Sequence, residues 1–179
     1  MYVIPDHRFM FLAAPRTGSK AVAQALMEQR GAVLIGSHHT TPFDHPEFDY
    51  DEDWTICSTI RNHWDAMVSW WFKIERRQRA MTPLGEFLPR FCENNPNHVK
   101  EGRLYSSTMP LSTAVLRYEL LASDLDLALV GVGLAPVKLP LVRDSLRENK
   151  AYQVYYKRAQ VNWVRSYFGD EIKDLGYKF

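Results

Sequence analysis

Several features are scarce in this 179-residue sequence, and each scarcity excludes a class of protein. No apolar run approaches the roughly 20 residues that a membrane-spanning helix needs, and polar residues interrupt the N-terminal M-Y-V-I-P-D-H-R too early for a secretory signal. The two cysteines, Cys57 and Cys92, form no C-x-x-C pair, so we expect free thiols. Charge of one sign is also lacking, because 22 basic residues nearly cancel 21 acidic ones. We therefore predict a cytoplasmic protein without a nucleic-acid or membrane partner.

Linkers, internal repeats and low-complexity tracts are lacking too, so we expect one domain over residues 1–179. Hydrophobic residues make up 46% of the chain, which is enough for a core. Strand-like and helix-like segments alternate, which is typical of a parallel sheet with helices on both faces. We predict an α/β fold of three layers, α/β/α, with a central parallel sheet. The predicted strands are 9–13, 32–36, 54–60 and 113–118, and the predicted helices are 18–29, 63–79, 83–93, 121–130 and 151–168.

The most informative segment is residues 9–20, F-M-F-L-A-A-P-R-T-G-S-K. Its apolar start predicts a buried strand. Gly18 permits close approach of the backbone to a ligand. The following helix would direct the positive end of its dipole at an anion bound there. An ATP or GTP loop, G-x-x-x-x-G-K-[ST], needs Lys directly after the last Gly and then a hydroxyl for Mg²⁺. Here Ser19 follows Gly18, and Ala21 follows Lys20. The segment thus predicts an anion-binding loop and argues against magnesium-nucleotide kinase chemistry.

A second group of polar residues lies at 61–69, R-N-H-W-D-A-M-V-S, directly after a predicted strand. Asn62 is a predicted helix N-cap with Asp65 at the third helical position. Ser69 lies about two helical turns beyond Arg61. Arg61 and Ser69 together can bind a phosphate, because a guanidinium forks onto phosphate oxygens. The alternative is a purely local ion pair between Arg61 and Asp65.

These two segments together resemble the motifs of the sulfotransferase family, whose sulfuryl donor is 3′-phosphoadenosine 5′-phosphosulfate (PAPS). P-R-T-G-S-K at 15–20 is similar to the family's 5′-phosphosulfate loop, and residues 61–69 are similar to its 3′-phosphate motif. The sequence departs from the family at Lys20, where a hydroxyl residue is usual, and at His63, where Pro is usual. The resemblance implies a P-loop NTPase-like form of the predicted fold. Two further segments agree in order: L-R-Y-E-L-L at 116–121 and Y-F-G-D-E-I-K-D-L-G-Y at 167–177.

The resemblance also implies a role for each candidate residue. The 3′-phosphate of PAPS would lie on Arg61 and Ser69, and the product would be adenosine 3′,5′-bisphosphate. Arg16 stands where the family has a catalytic Lys or Arg, and its guanidinium would stabilise charge growing on the leaving phosphate. No metal is required, since Arg, Lys and helix dipoles can meet the negative charges. The residues expected around the 5′-phosphosulfate are Arg16, Thr17, Gly18, Ser19 and Lys20.

Two adjacent histidines, His38 and His39, follow the predicted strand 32–36 and are candidates for the general base. His39 precedes Arg61 by 22 residues, a separation compatible with the family, and we prefer it for that reason. His38 stays a competitor, because alternating side-chain directions let only one of the pair face a cleft. The acceptor is expected to be a small molecule or a saccharide with a hydroxyl or amine, and the sequence gives no oligomeric state.

Three other interpretations stay open at this stage. The chain can be a P-loop kinase of a small molecule, or a catalytically silent module that binds a nucleotide or an anion. The acidic segment 38–53 holds three histidines and six carboxylates, which are possible ligands of a divalent metal. Its spacing matches no closed metal site, so a solvated acidic loop is the favoured interpretation and no metal ligand is predicted.

Overall fold

The computed structural model of the chain forms two compact units, each built from two stretches of sequence. The described residues are 1–78, 82–141, 147 and 151–179. The first unit comprises Met1–Ile60 and Ser107–Val142, and the second comprises Arg61–Ser106 and Arg143–Phe179. The single domain over residues 1–179 stays a prediction.

Regular elements follow one another in an order close to the predicted one. Within the described ranges the strands are β1 (Tyr2–Ile4), β2 (Phe9–Leu12), β3 (Val33–Leu34), β4 (Thr55–Ile60) and β5 (Ala114–Arg117). The helices are α1 (Ser19–Arg30), α2 (His63–Gln78), α3 (Leu84–Asn94), α4 (Leu121–Gly131), α5 (Arg158–Tyr167) and α6 (Gly169–Asp174). The prediction of α2 reached Arg79, which lies outside the described residues.

An open sheet of five strands organises the first unit, in the spatial order β3-β1-β2-β4-β5. Strands β2, β4 and β5 run parallel, whereas β1 is antiparallel to both of its neighbours, β2 and β3. The α/β class is thus confirmed as a mixed sheet, parallel around β4 and flanked by helices. The three-layer, P-loop NTPase-like form is a finer statement, and it stays a prediction.

Strand β2 has the two-sided burial that its continuous apolar run predicts. Phe9, Met10, Phe11 and Leu12 are all fully buried. Because successive side chains of a strand point to opposite faces, Phe9 and Phe11 join a core with α1 and α4, while Met10 and Leu12 join a core with Ile56 and the aromatic segment before β4. This burial fixes the strand whose carboxyl end carries the candidate anion loop.

Two sequence predictions about elements of this fold are wrong. Strand 32–36 shrinks to Val33–Leu34, which lies at the exposed edge of the sheet. Its partner β1 was not predicted because that strand has only three residues before the turn at Pro5. The helix over 151–168 is broken into a 3₁₀ turn, Tyr152–Tyr155, and the later helix α5. Tyr156 is extended, with φ −101° and ψ 134°, and the amide of Lys157 donates to the side chain of Gln160 at 2.6 Å, which starts a new helix.

The second unit is helical and packs a core of large aromatic side chains. Trp64, Phe87, Phe91 and Phe168 are at most 2% exposed. Both cysteines, Cys57 in the first unit and Cys92 in the second, are free, as predicted, and burial raises the pKa of each thiol to about 12. Among the described residues, no helix combines the length and the apolar character that crossing a membrane requires.

Candidate functional site

The loop between β2 and α1 has an unusual backbone conformation. Arg16 and Gly18 have positive φ angles, 65° and 79°, and Thr17 between them does not. Successive amides in alternating left- and right-handed conformations converge on one point, which is how such loops bind anions. A positive φ at Arg16 is uncommon for a residue other than glycine, and such strain concentrates at functional sites.

Gly18 is required by its conformation and by its neighbours. A Cβ atom there would lie 2.8 Å from Leu121 Cδ2 and 3.1 Å from the ring of Tyr118. Gly18 is also the N-cap of α1, and as a glycine it has no side chain to cap this helix end. Since the first turn of an α-helix leaves its amides without intrahelical partners, the N-terminus of α1 offers donors and a positive dipole end to an anion.

The two hydroxyl residues of the loop have different surroundings. Thr17 is fully buried; its Oγ1 donates to the carbonyl of Ala14 at 2.8 Å and is hydrogen-bonded to Thr59 of β4. Its hydroxyl therefore fastens the loop to the sheet. Ser19 is the first residue of α1, and its Oγ lies 3.3 Å from His38 Nε2. The structure thus brings Ser19 together with one of the two predicted histidines.

His38 is hydrogen-bonded through both ring nitrogens. Its Nδ1 lies 2.5 Å from the hydroxyl of Tyr2, and its Nε2 is the partner of Ser19. Burial, followed by the positive charges of His39, Lys20 and the N-terminus, lowers the pKa of His38 to about 4. At neutral pH the ring is uncharged and a weak base, since an efficient general base has a pKa near the working pH.

His39 has the hydrogen-bond arrangement that a general base needs. Its Nδ1 lies 2.6 Å from the carbonyl oxygen of Ala13, which can only accept, so Nδ1 carries the proton. Nε2 of the neutral ring then has its lone pair available. The ring is exposed and lies edge-on to His38, with 4.5 Å between ring centroids. His39 is thereby fixed at the end of β2, where the candidate anion loop begins.

A surface pocket of about 230 Å³ lies beside this loop. Its wall includes the buried Ala23, the ring of Tyr2 and the half-exposed Met27, with Lys20 and His38 among its polar residues. Such a mixture of apolar wall and a few polar groups suits part of a small organic molecule. Lys20 thus faces this pocket from the first turn of α1.

Arg61 belongs to the second unit and is almost completely buried there. Its Nε and Nη2 both lie 2.7 Å from Oδ2 of Asp65. The other carboxylate oxygen of Asp65 accepts from Arg147, whose guanidinium lies 5.7 Å from the ring centre of Tyr155. The local ion pair that the sequence offered as an alternative is therefore formed. It is compatible with phosphate binding, because a guanidinium has five N–H donors.

The start of α2 is capped as the sequence predicts. Asn62 Oδ1 accepts from the amides of Trp64 and Asp65 at 3.1 and 3.4 Å, and Asn62 Nδ2 donates to the carbonyl of Lys178 at 2.8 Å. Ser69 is buried on the same helix, 4% exposed. Arg61, Asn62, Asp65 and Ser69 thus share one short segment of the second unit.

Three residues that contact the candidate site residues were missed by sequence reasoning. Tyr2, Tyr105 and Arg147 lie 36, 44 and 82 residues away from the side chains or backbone that they bind. No local motif marks them, because each contact depends on chain segments that only folding brings together. Tyr118 was noticed only as part of a motif, and its role is steric, against Gly18.

Two aspartates of the acidic segment 38–53 are paired within the first unit. Asp44 accepts from the amide and hydroxyl of Thr41, and these bonds lower the pKa of its carboxyl. Asp53 pairs with Arg8. Over the residues that the structure describes, no three His, Cys, Asp or Glu side chains are grouped so as to hold a metal ion.

The sulfotransferase resemblance concerns the same residues whose geometry is given above. It rests on motifs at 15–20 and 61–69 and on two shorter segments, so it stays a prediction. Comparison of the chain with protein-family models, with curated proteins and with solved structures finds no match.

Proposed function

We propose that this protein is a small PAPS-dependent sulfotransferase that transfers a sulfuryl group to an acceptor hydroxyl or amine. The observation that carries the proposal is the backbone of the loop at 16–18, with its alternating φ signs at the glycine-capped start of α1. This loop offers converging amides and the cation of Arg16 to a phosphosulfate. The resemblance to the sulfotransferase motifs is the reason for proposing a phosphosulfate and not another anion.

The residues of the first unit can divide the chemistry between them. His39 Nε2 would take the proton of the acceptor as its oxygen bonds to sulfur. Arg16 and the amides of the loop would stabilise the negative charge on the phosphate oxygen whose bond to sulfur breaks. When bound, PAPS supplies the sulfuryl group and leaves as adenosine 3′,5′-bisphosphate.

His39 is a better candidate for the base than His38. The carbonyl of Ala13 fixes its tautomer, and its ring is exposed. His38 has both ring nitrogens engaged with hydroxyl groups and a pKa lowered to about 4. We propose that His38 orients Ser19 and that His39 removes the proton. This assignment agrees with the preference from sequence spacing and rests on an independent argument.

The donor's 3′-phosphate is proposed to bind Arg61 and Ser69. Arg61 is buried, permanently charged and held by Asp65, so its guanidinium is already oriented. No metal is part of the proposal. A small-molecule or saccharide acceptor, a cytoplasmic location and the lack of nucleic-acid and membrane partners stay proposals on the sequence grounds given above.

Calorimetric titration with adenosine 3′,5′-bisphosphate, beside ATP with magnesium, tests the proposal. We expect the bisphosphate to bind and Mg-ATP not to bind. Arg61→Ala should weaken the bisphosphate by about 10- to 100-fold, because a charged hydrogen bond contributes roughly 1.5–3 kcal/mol. Arg103→Ala is the matched control, since Arg103 forms an exposed pair with Asp174 in the same unit and should leave the affinity unchanged.

The other results lead elsewhere. Binding of Mg-ATP in place of the bisphosphate would favour the P-loop kinase. Tight bisphosphate binding without transfer to a broad panel of acceptors would favour a silent nucleotide-binding module. Binding of neither nucleotide would overturn the proposal.

A further inference from the structure

The backbone of Arg61 is held by a side chain from a distant part of the second unit. Arg61 follows the last residue of β4, and the pairing of β4 with β5 ends at Ile60. A buried backbone N–H and C=O beyond that point need other partners. The hydroxyl of Tyr105 supplies both: it accepts from Arg61 N–H at 3.1 Å and donates to Arg61 C=O at 2.6 Å.

Tyr105 is itself held firmly. It is 2% exposed, and its amide donates to Glu171 Oε1 at 3.1 Å. The other oxygen of Glu171 accepts from the amide of Leu104 and bonds to His63 Nε2, each at 2.7 Å. The ring of Tyr105 packs edge-on against His63, with 5.6 Å between ring centroids. A buried carboxylate and a packed ring therefore leave the Tyr105 hydroxyl one position.

Arg61 is consequently fixed at both ends, by Tyr105 at its backbone and by Asp65 at its guanidinium. A cation ordered before binding loses less conformational freedom when it binds an anion. We infer that Tyr105 is a positioning residue for Arg61 and that it sets the selectivity of the protein for nucleotides with a 3′-phosphate over those without one. This inference rests on the proposed function, which gives Arg61 the 3′-phosphate.

The selectivity between two nucleotides distinguishes a positioning role of Tyr105 from a merely structural one. Adenosine 3′,5′-bisphosphate carries the 3′-phosphate, and adenosine 5′-monophosphate (AMP) lacks it. Loss of general stability would weaken both nucleotides together, whereas misplacement of Arg61 would weaken the bisphosphate alone. The ratio of the two dissociation constants is therefore the quantity to measure.

The experiment titrates both nucleotides into the wild type and into Tyr105→Phe. We expect Tyr105→Phe to bind the bisphosphate about tenfold more weakly and AMP as before. In an Arg61→Ala background the same substitution should cause no further loss, because Tyr105 acts through Arg61. Tyr156→Phe is the matched control: its hydroxyl donates to the carbonyl of Trp64 at 2.8 Å, at the same helix start, and its loss should leave the ratio unchanged.

Failures of the two proposals are distinguishable. A wild type that binds the bisphosphate no better than AMP contradicts the proposed function and the inference with it. A selective wild type combined with an equally selective Tyr105→Phe overturns the inference alone, as does an equal loss for both nucleotides. If Tyr105→Phe does not fold, Glu171→Gln tests the same anchor, with a smaller loss of selectivity expected and an unchanged ratio overturning the inference.

Discussion

The N-termini of α1 and α2 both follow a parallel strand, yet they are built in opposite ways. At α1 the cap is Gly18, without a side-chain hydrogen bond, and Arg16 two residues before it has a strained, positive φ. At α2 the side chain of Asn62 caps the helix, and the charged side chains of Arg61 and Asp65 are buried and paired. The start of α1 thus presents backbone amides, whereas the start of α2 is stabilised by side-chain hydrogen bonds and an ion pair.

This difference indicates different roles for the two helix starts. Backbone amides can bind an anion whatever side chains the loop carries. Anion binding at the start of α1 would therefore depend on backbone conformation, and above all on Gly18. A guanidinium binds a phosphate through its forked geometry. Phosphate binding at the start of α2 would therefore depend on the residues that orient Arg61. Under the proposed function we therefore expect the phosphosulfate and its chemistry at the first, and the 3′-phosphate of the donor at the second.

The largest expected effect comes from His39, which stands beside the first helix start. His39→Ala should lower turnover about 100- to 10,000-fold, because it removes the proposed general base, and should leave affinity for adenosine 3′,5′-bisphosphate unchanged. Initial rates with PAPS and calorimetry measure the two quantities. His38→Ala is the comparison, with a smaller loss expected. Full activity of His39→Ala together with an inactive His38→Ala would transfer the role of base to His38.

A smaller effect is expected at Gly18, whose substitution tests the dependence on backbone. Gly18→Ala should lower the free energy of unfolding by about 2–4 kcal/mol, because a left-handed φ and a crowded Cβ both penalise alanine. Gly31→Ala shares a positive φ, 67°, but has open space around its Cβ, so about 1–2 kcal/mol is expected there. Denaturant unfolding compares the two variants. Equal losses would mean that contact with Leu121 and Tyr118 does not constrain the loop.

The smallest effect compares the caps directly. Asn62→Ala should lower the free energy of unfolding by about 1–2 kcal/mol, because α2 loses its N-cap and the bond to Lys178. Ser19→Ala should cost less than about 1 kcal/mol, because Ser19 does not cap α1 and its bond to His38 is long, 3.3 Å. Thermal unfolding of both variants measures this difference. A larger cost at Ser19 would contradict the contrast between the two helix starts.

Local patterns were sufficient to predict most elements, but not their breaks. The runs at β2 and β4 and the cap at Asn62 follow from burial and from short-range hydrogen bonds, and each appears where the sequence predicts it. The break at Tyr156 was missed because its aromatic neighbours have helical spacing. Strand β1 was missed altogether, and with it its antiparallel pairing with β2 and β3, which is a long-range property.

The sequence by itself determined the α/β class, the anion-loop candidate at 15–20 and the capped helix that begins after Arg61, since each depends on residues close together in the chain. Only the tertiary structure decided which histidine is held through Nδ1 by a backbone carbonyl, because the carbonyl of Ala13 that fixes His39 comes from another strand end. It also decided what orients Arg61, because Tyr105 reaches it from 44 residues away. Such contacts form when burial forces distant polar groups to satisfy one another, and no local pattern encodes them.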